Sequence, residues 1–200
     1  PGALVISDPT ALSVGDLSLV SVSVYLPQPT ALETFHWDGR QTAYIMPGNR
    51  TADSAGTSER TVEARIFLAS VLVQSLGQNG AVVALGDSIT DGNGVTVGSN
   101  SRWPDYLAAR LAPAGIAVLN AGISGGRLLR EGMGASALAR FDRDVLSQPH
   151  VRTAIVLVGI NDISWPGTPF APGAPAPSAT EIITGYRQLI ARAHINGVRI

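Results

Sequence analysis

Three short apolar runs, each ending in a glycine-containing turn and each set a helix-length from the next, constrain this 200-residue chain most strongly. They are Ala81-Val82-Val83-Ala84-Leu85, Val118-Leu119-Asn120-Ala121 and Ala154-Ile155-Val156-Leu157-Val158. Runs of this length suit strands covered on both faces. Their alternation with helical segments predicts a parallel, doubly wound α/β sheet. Right-handed crossovers then bring all three carboxyl ends to one edge of that sheet. Open α/β sheets place their crevices at that edge.

The turns at that edge carry chemistry. The first run leads into Gly86-Asp87-Ser88-Ile89-Thr90, the second into Gly122-Ile123-Ser124-Gly125-Gly126, and the third into Gly159-Ile160-Asn161-Asp162. Each is also ordinary turn punctuation when taken alone. Together they supply a hydroxyl, a backbone N–H free of a Cβ, and a side-chain amide. Those are the parts of a serine nucleophile with an oxyanion hole.

With these three blocks the chain resembles the SGNH (GDSL-type) hydrolases from Val82 to about Ile200. The resemblance implies a flavodoxin-like three-layer α/β/α domain and carboxylic ester hydrolysis through an acyl-enzyme. It implies Ser88 as nucleophile, with the N–H groups of Ser88 and Gly122 and the side-chain amide of Asn161 as oxyanion donors. Asp87 and Trp165 are the expected substrate-contacting residues. An acetylated carbohydrate, a short-chain ester or a lipid ester all suit the motifs. A second reading keeps the fold and the pocket as a non-catalytic ligand or carbohydrate site.

The family's fourth block, Asp-x-x-His, has no counterpart in this sequence. His36 lies in the β-rich N-terminal region, while His150 and His194 fall at the amino edge of the expected sheet, away from the turns. The chain reaches Val198-Arg199-Ile200 as a strand begins, so we expect the aspartate and histidine beyond Ile200, supplied by the same or a second chain.

Helix signals fill the connections. Pro104 suits the first turn of a helix beginning near Ser101, with Trp103, Leu107 and Leu111 inward. A second helix is predicted over 136–147, capped by Ser136 and burying Leu138, Phe141 and Val145. Ser178-Ala179-Thr180-Glu181 has the form of a capping box. Ile182, Tyr186, Leu189 and Ala193 follow on one face with Ile183 and Ile190 alongside, and Gly197 ends the helix. Ser164 to Pro177 is a proline-rich loop at the active edge, bringing Trp165 as an apolar wall.

Residues 1–79 read as an accessory segment of β-sandwich type, ahead of an α/β domain over 80–200. Val20, Val22, Val24 and Leu26 alternate with polar positions within a predicted strand from Leu17 to Leu26. Shorter β-like runs fall at Ala3–Ser7, Leu32–Trp37, Gln41–Met46 and Ala64–Val73.

Composition narrows the partners. Net charge is −1, all fourteen basic residues are arginine, and there is no basic stripe, so nucleic acid is not expected. No apolar stretch reaches the roughly 18–20 residues of a membrane span. The absence of cysteine removes a thiol nucleophile and thiolate metal ligands. The acids of Asp87–Gly94 miss the spacing of a calcium loop. Gly122–Gly126 lacks the dinucleotide fingerprint. No cofactor or metal is therefore expected. The start at Pro1 fits a processed chain, and we expect a secreted or extracytoplasmic protein.

Overall fold

A computed structural model describes residues 4–32, 35–74 and 79–200. They divide into two units, Pro1–Ser75 with Thr96–Ser99, and Leu76–Val95 with Asn100–Ile200.

In the first unit, strands β1 (Ala43–Ile45) and β2 (Arg60–Val62) pair antiparallel, with Ala43 opposite Val62 and Ile45 opposite Arg60. His36 and Arg65 form an isolated bridge alongside. The predicted strand from Leu17 to Leu26 does not form, and Val20, Val22 and Val24 are 42%, 47% and 55% exposed. Alternation selects which face of a strand is apolar, but pairing needs a neighbouring backbone, and this segment makes no ladder. The runs at Ala3–Ser7 and Ala64–Val73 likewise carry no strand among the described residues, apart from the bridge at Arg65; Ala3, and Glu33 and Thr34 of Leu32–Trp37, lie outside them. The β structure of this unit among the described residues is the two-stranded ladder β1-β2.

The second unit carries the parallel sheet that the sequence predicts. β3 (Ala81–Gly86) lies between β4 (Ala117–Gly122) and β5 (Val151–Leu157) in the order β4-β3-β5. Both pairings are parallel, and Gly86 stands opposite Gly122 on one side and Leu157 on the other. The three strand ends therefore share one edge. Beyond β5, Arg199 adds a parallel bridge to Thr153, its N–H on the Arg152 carbonyl at 3.0 Å.

The helices follow their sequence signals closely. The four-residue helix α1 (Ser88–Asp91) opens directly after β3 with Asp87 as its cap. α2 (Trp103–Leu111) carries Pro104 in its first turn and packs along β4. α3 (Ala137–Phe141) is capped by Ser136, whose hydroxyl accepts the Ala139 N–H at 3.2 Å. It continues as one wider turn through Leu146, where the Ser147 N–H reaches back five residues to the Asp142 carbonyl. α4 (Ile160–Ser164) begins where β5 ends, and α5 (Ala179–Ile195) starts with the predicted capping box between Ser178 and Glu181.

One apolar core lies under these helices. Val83 and Leu85 of β3 pack with Phe141, Val145, Leu189 and Ala193, all without measurable exposure. Ile183 and Ile190, expected beside the buried stripe of α5, are 49% and 40% exposed instead. They sit about 100° round the helix from Ile182 and Leu189, which carries them past the width of the contact.

Candidate active site

The site begins with how β3 stops. Asp87 is 1% exposed and turns inward to cap α1, accepting the Ile89 N–H at 3.0 Å. Burial raises its carboxyl above the ordinary value of 3.8, with the charge of Asp162 adding to the rise and the capping N–H groups opposing it. The structure thus gives Asp87, expected to contact substrate, a buried capping position, with Oδ1 engaged by the Ile89 N–H. Ser88, one residue on, is half-buried at the N-terminus of α1. Neither its hydroxyl nor its N–H has a hydrogen-bond partner among the described residues.

β4 ends differently from its sequence expectation. The Gly122 N–H donates to Asn120 Oδ1 at 2.8 Å, so it is not available to an oxyanion. The same asparagine donates through Nδ2 to the Thr90 carbonyl at 2.8 Å, drawing the strand end onto α1. Gly122 is glycine for this close approach, since a Cβ there would lie 2.2 Å from the Asp91 nitrogen. The turn that follows is closed by the Gly126 N–H on the Ile123 carbonyl at 2.8 Å, and Gly125 takes φ +79° within it. That conformation suits glycine. The Gly125 N–H has no partner among the described residues. The backbone N–H of this block left without a partner among the described residues is thus that of Gly125 rather than that of Gly122.

Two buried carboxylates and one amide hold that turn. Asp91 Oδ2 accepts both the N–H and the hydroxyl of Ser124 at 2.8 Å. Asn161 Nδ2 donates to the Gly126 carbonyl at 2.9 Å. A carboxamide nitrogen carries two hydrogens, so Asn161 keeps a second donor. Asp162, 3% exposed, accepts the N–H groups of Leu128 and Leu129 at 2.6 and 3.0 Å. From the other side, the Tyr186 hydroxyl of α5 donates to the Val158 carbonyl, next to the Gly159 turn. The register of the strands, the Ile123 N–H on the Gly86 carbonyl at 3.1 Å, and these clamps bring the three turns together.

Trp165 lies against this turn. A Cβ on Gly125 would fall 2.8 Å from the indole ring and 2.4 Å from the Met133 sulfur. The indole stacks on Phe170 with centroids 4.9 Å apart and planes 23° from parallel. The start of the proline-rich loop is itself folded, with the Gly167 N–H on the Ala171 carbonyl and Thr168 bonded back to the Trp165 carbonyl.

Neither histidine of the second unit joins these groups. His36 belongs to the first unit, His150 directly precedes β5 at the amino edge, and His194 is exposed in the last turn of α5. Among the described residues, no cluster of three or more His, Asp or Glu side chains is arranged to hold a metal, and no helix is long and apolar enough to cross a membrane.

Sequence reasoning missed four residues that hold these strand ends and turns: Asn120, Asp91, Asp162 and Arg140, whose guanidinium donates to the Gly86 and Ala121 carbonyls. The first three are polar residues in or beside the turn motifs and read as turn formers. Arg140, four residues before Asp144, reads as half of a solvated helix pair. Its one available signal is its phase, since it falls on the helix between the buried Ala137 and Phe141.

The chain is similar to AlinE4, an SGNH-hydrolase family esterase, at 25% identity and TM-score 0.47, covering 62% of this chain and 58% of that one. It is similar to a putative lipolytic protein of the G-D-S-L family from Desulfitobacterium hafniense at 25% identity and TM-score 0.43, covering 60% and 55%. It is also similar to the acetyl xylan esterase AlAXEase at 22% identity and TM-score 0.44, covering 59% and 54%. The chain spans less than two thirds of the length of each. No curated protein matches it. The sequence model of the GDSL-like lipase/acylhydrolase family matches residues 84–200, and the chain belongs to that family.

Proposed function

We propose that this protein is a serine carboxylic ester hydrolase. Ser88 Oγ attacks the ester carbonyl, and the N–H groups of Ser88 and Gly125 with the free amide hydrogen of Asn161 receive the oxyanion. The alcohol leaves, and water hydrolyses the acyl-enzyme. The observation that carries this reading is the set of unused donors at the same carboxyl edge of the sheet as the Ser88 hydroxyl. Backbone donors fixed by Asp91, Asp162 and Asn161 need no reorganisation as charge develops. One such donor is worth about 2.7–4 kcal/mol in the transition state.

The proton of Ser88 needs an acceptor other than His150 and His194; the Asp-x-x-His pair implied by the family resemblance would serve. Without a base, about 10³–10⁴-fold acceleration over water is what binding and an oxyanion hole supply. The Trp165–Phe170 stack gives a flat apolar wall for the acyl or alcohol group, in keeping with an acetylated carbohydrate, a short-chain ester or a lipid ester.

Hydrolysis of p-nitrophenyl acetate by the protein and by Ser88→Ala tests the assignment. The variant is expected to fold and to lose the enzyme-dependent rate. An unchanged rate in Ser88→Ala overturns it.

A further inference from the structure

Arg140 heads the fully enclosed side chains by volume, at 2% exposure, and its charge faces the ends of two strands. Nη2 donates to the Gly86 carbonyl at 2.8 Å, and Nη1 to the Ala121 carbonyl at 2.6 Å. Asp144 Oδ2 meets Nη1 at 2.9 Å, while Nε is buried without a partner. Enclosing a guanidinium is costly in desolvation, and an apolar side chain of similar volume often serves stability as well or better. The bonds it makes are therefore the informative part.

Both carbonyls lie at the last rungs of the β3–β4 ladder, where Gly86 is paired with Gly122. Gly86 stands two residues before Ser88. Ala121 leads into Gly122 and the turn that presents the Gly125 N–H. The Gly86 carbonyl is shared, because it also accepts the Ile123 N–H at 3.1 Å. One rigid fork thus spans the strand end that carries the hydroxyl and the strand end that carries the backbone donor. Its planar geometry suits two acceptors at fixed spacing, which a lysine ammonium does not reproduce. A Cβ on Gly126 would lie 3.8 Å from Nη2, so the fork also lies against the turn itself.

We propose that Arg140 is a positioning residue of this site: its guanidinium fastens the carbonyl ends of β3 and β4 and so sets Ser88 against the Gly125 N–H. The kinetic consequence rests on the ester-hydrolase reading; the local structural one does not.

Two variants and two readouts test it. Arg140→Lys keeps the charge and loses the fork, and Arg140→Ala opens a cavity for added guanidinium. Hydrogen exchange is followed at the Ile123 amide and at the amides of the β3 and β5 ladder, and p-nitrophenyl acetate hydrolysis is resolved into kcat and KM. In Arg140→Lys, exchange at Ile123 is expected to quicken about tenfold or more while the ladder stays protected, as for a local opening. The expected fall in kcat is about 10²-fold, the scale of a 1 Å misplacement, with KM unchanged. Guanidinium should restore both readouts in Arg140→Ala. Unaltered exchange at Ile123, a uniform loss across the ladder, or a raised KM at full kcat would each overturn the proposal. Should Ser88→Ala show that hydrolysis does not depend on Ser88, the kinetic arm falls with the ester-hydrolase reading, and exchange at Ile123 alone decides.

Discussion

The segment around Val20–Leu26 and strand β3 are both rich in valine and leucine, yet they behave oppositely. The first stays exposed along its length without a ladder, whereas β3 is buried nearly throughout between two parallel neighbours. Apolar side chains alone do not make a strand. β3 has β4 and β5 to take its backbone hydrogen bonds and Phe141, Val145 and Leu189 to cover its face. The candidate site follows the same division, for Ser88, Gly125 and Asn161 all follow the ends of strands in the parallel sheet. A rigid scaffold is what lets a turn hold unpaired donors in place.

Three substitutions sharpen that contrast. Phe141→Ala empties the centre of the α/β core and is expected to cost about 3–5 kcal/mol in denaturant unfolding. Asp87→Asn should act mainly through pH. Because burial lifts the Asp87 carboxyl in the folded state, its contribution is fully present below the unfolded carboxyl range of about 3.9 and declines as pH rises through the folded value. Asparagine caps as well as aspartate, so the variant should lose that decline while keeping α1. Denaturation midpoints compared between acidic and neutral pH read the difference, and parallel pH profiles would contradict it. Val22→Ala, in the exposed segment, should fall within about 0.5 kcal/mol of the parent protein. A cost as large as that of Phe141→Ala would mean that Val22 is packed after all.

Local signals carried much of the fold into the sequence. The strand ends at Gly86 and Gly122, the caps at Ser136 and Ser178, and Pro104 in a first turn each depend on a few neighbouring residues. The placement of Ser88 and Asn161 at the carboxyl edge of the sheet was legible for the same reason, as each follows an apolar run directly. Which of Gly122 and Gly125 keeps an unpaired N–H was not. It turns on the Asn120 side chain, which reaches across to Thr90 and takes the Gly122 N–H on the way. For Asp87 a cap and a substrate contact look alike in sequence, and its enclosure shows the cap. Arg140 was invisible because its acceptors lie 54 and 19 residues away along the chain. Leu17–Leu26 misled in the other direction, since periodicity records a face and not a partner.

The most direct test of the central claim is a crystal structure of the protein after reaction with a phosphonate ester. The account predicts phosphorus on Ser88 Oγ, with its charged oxygen accepting from the Ser88 N–H, the Gly125 N–H and Asn161 Nδ2. An oxygen seated instead on the Gly122 N–H, or an adduct on any other residue, would contradict it.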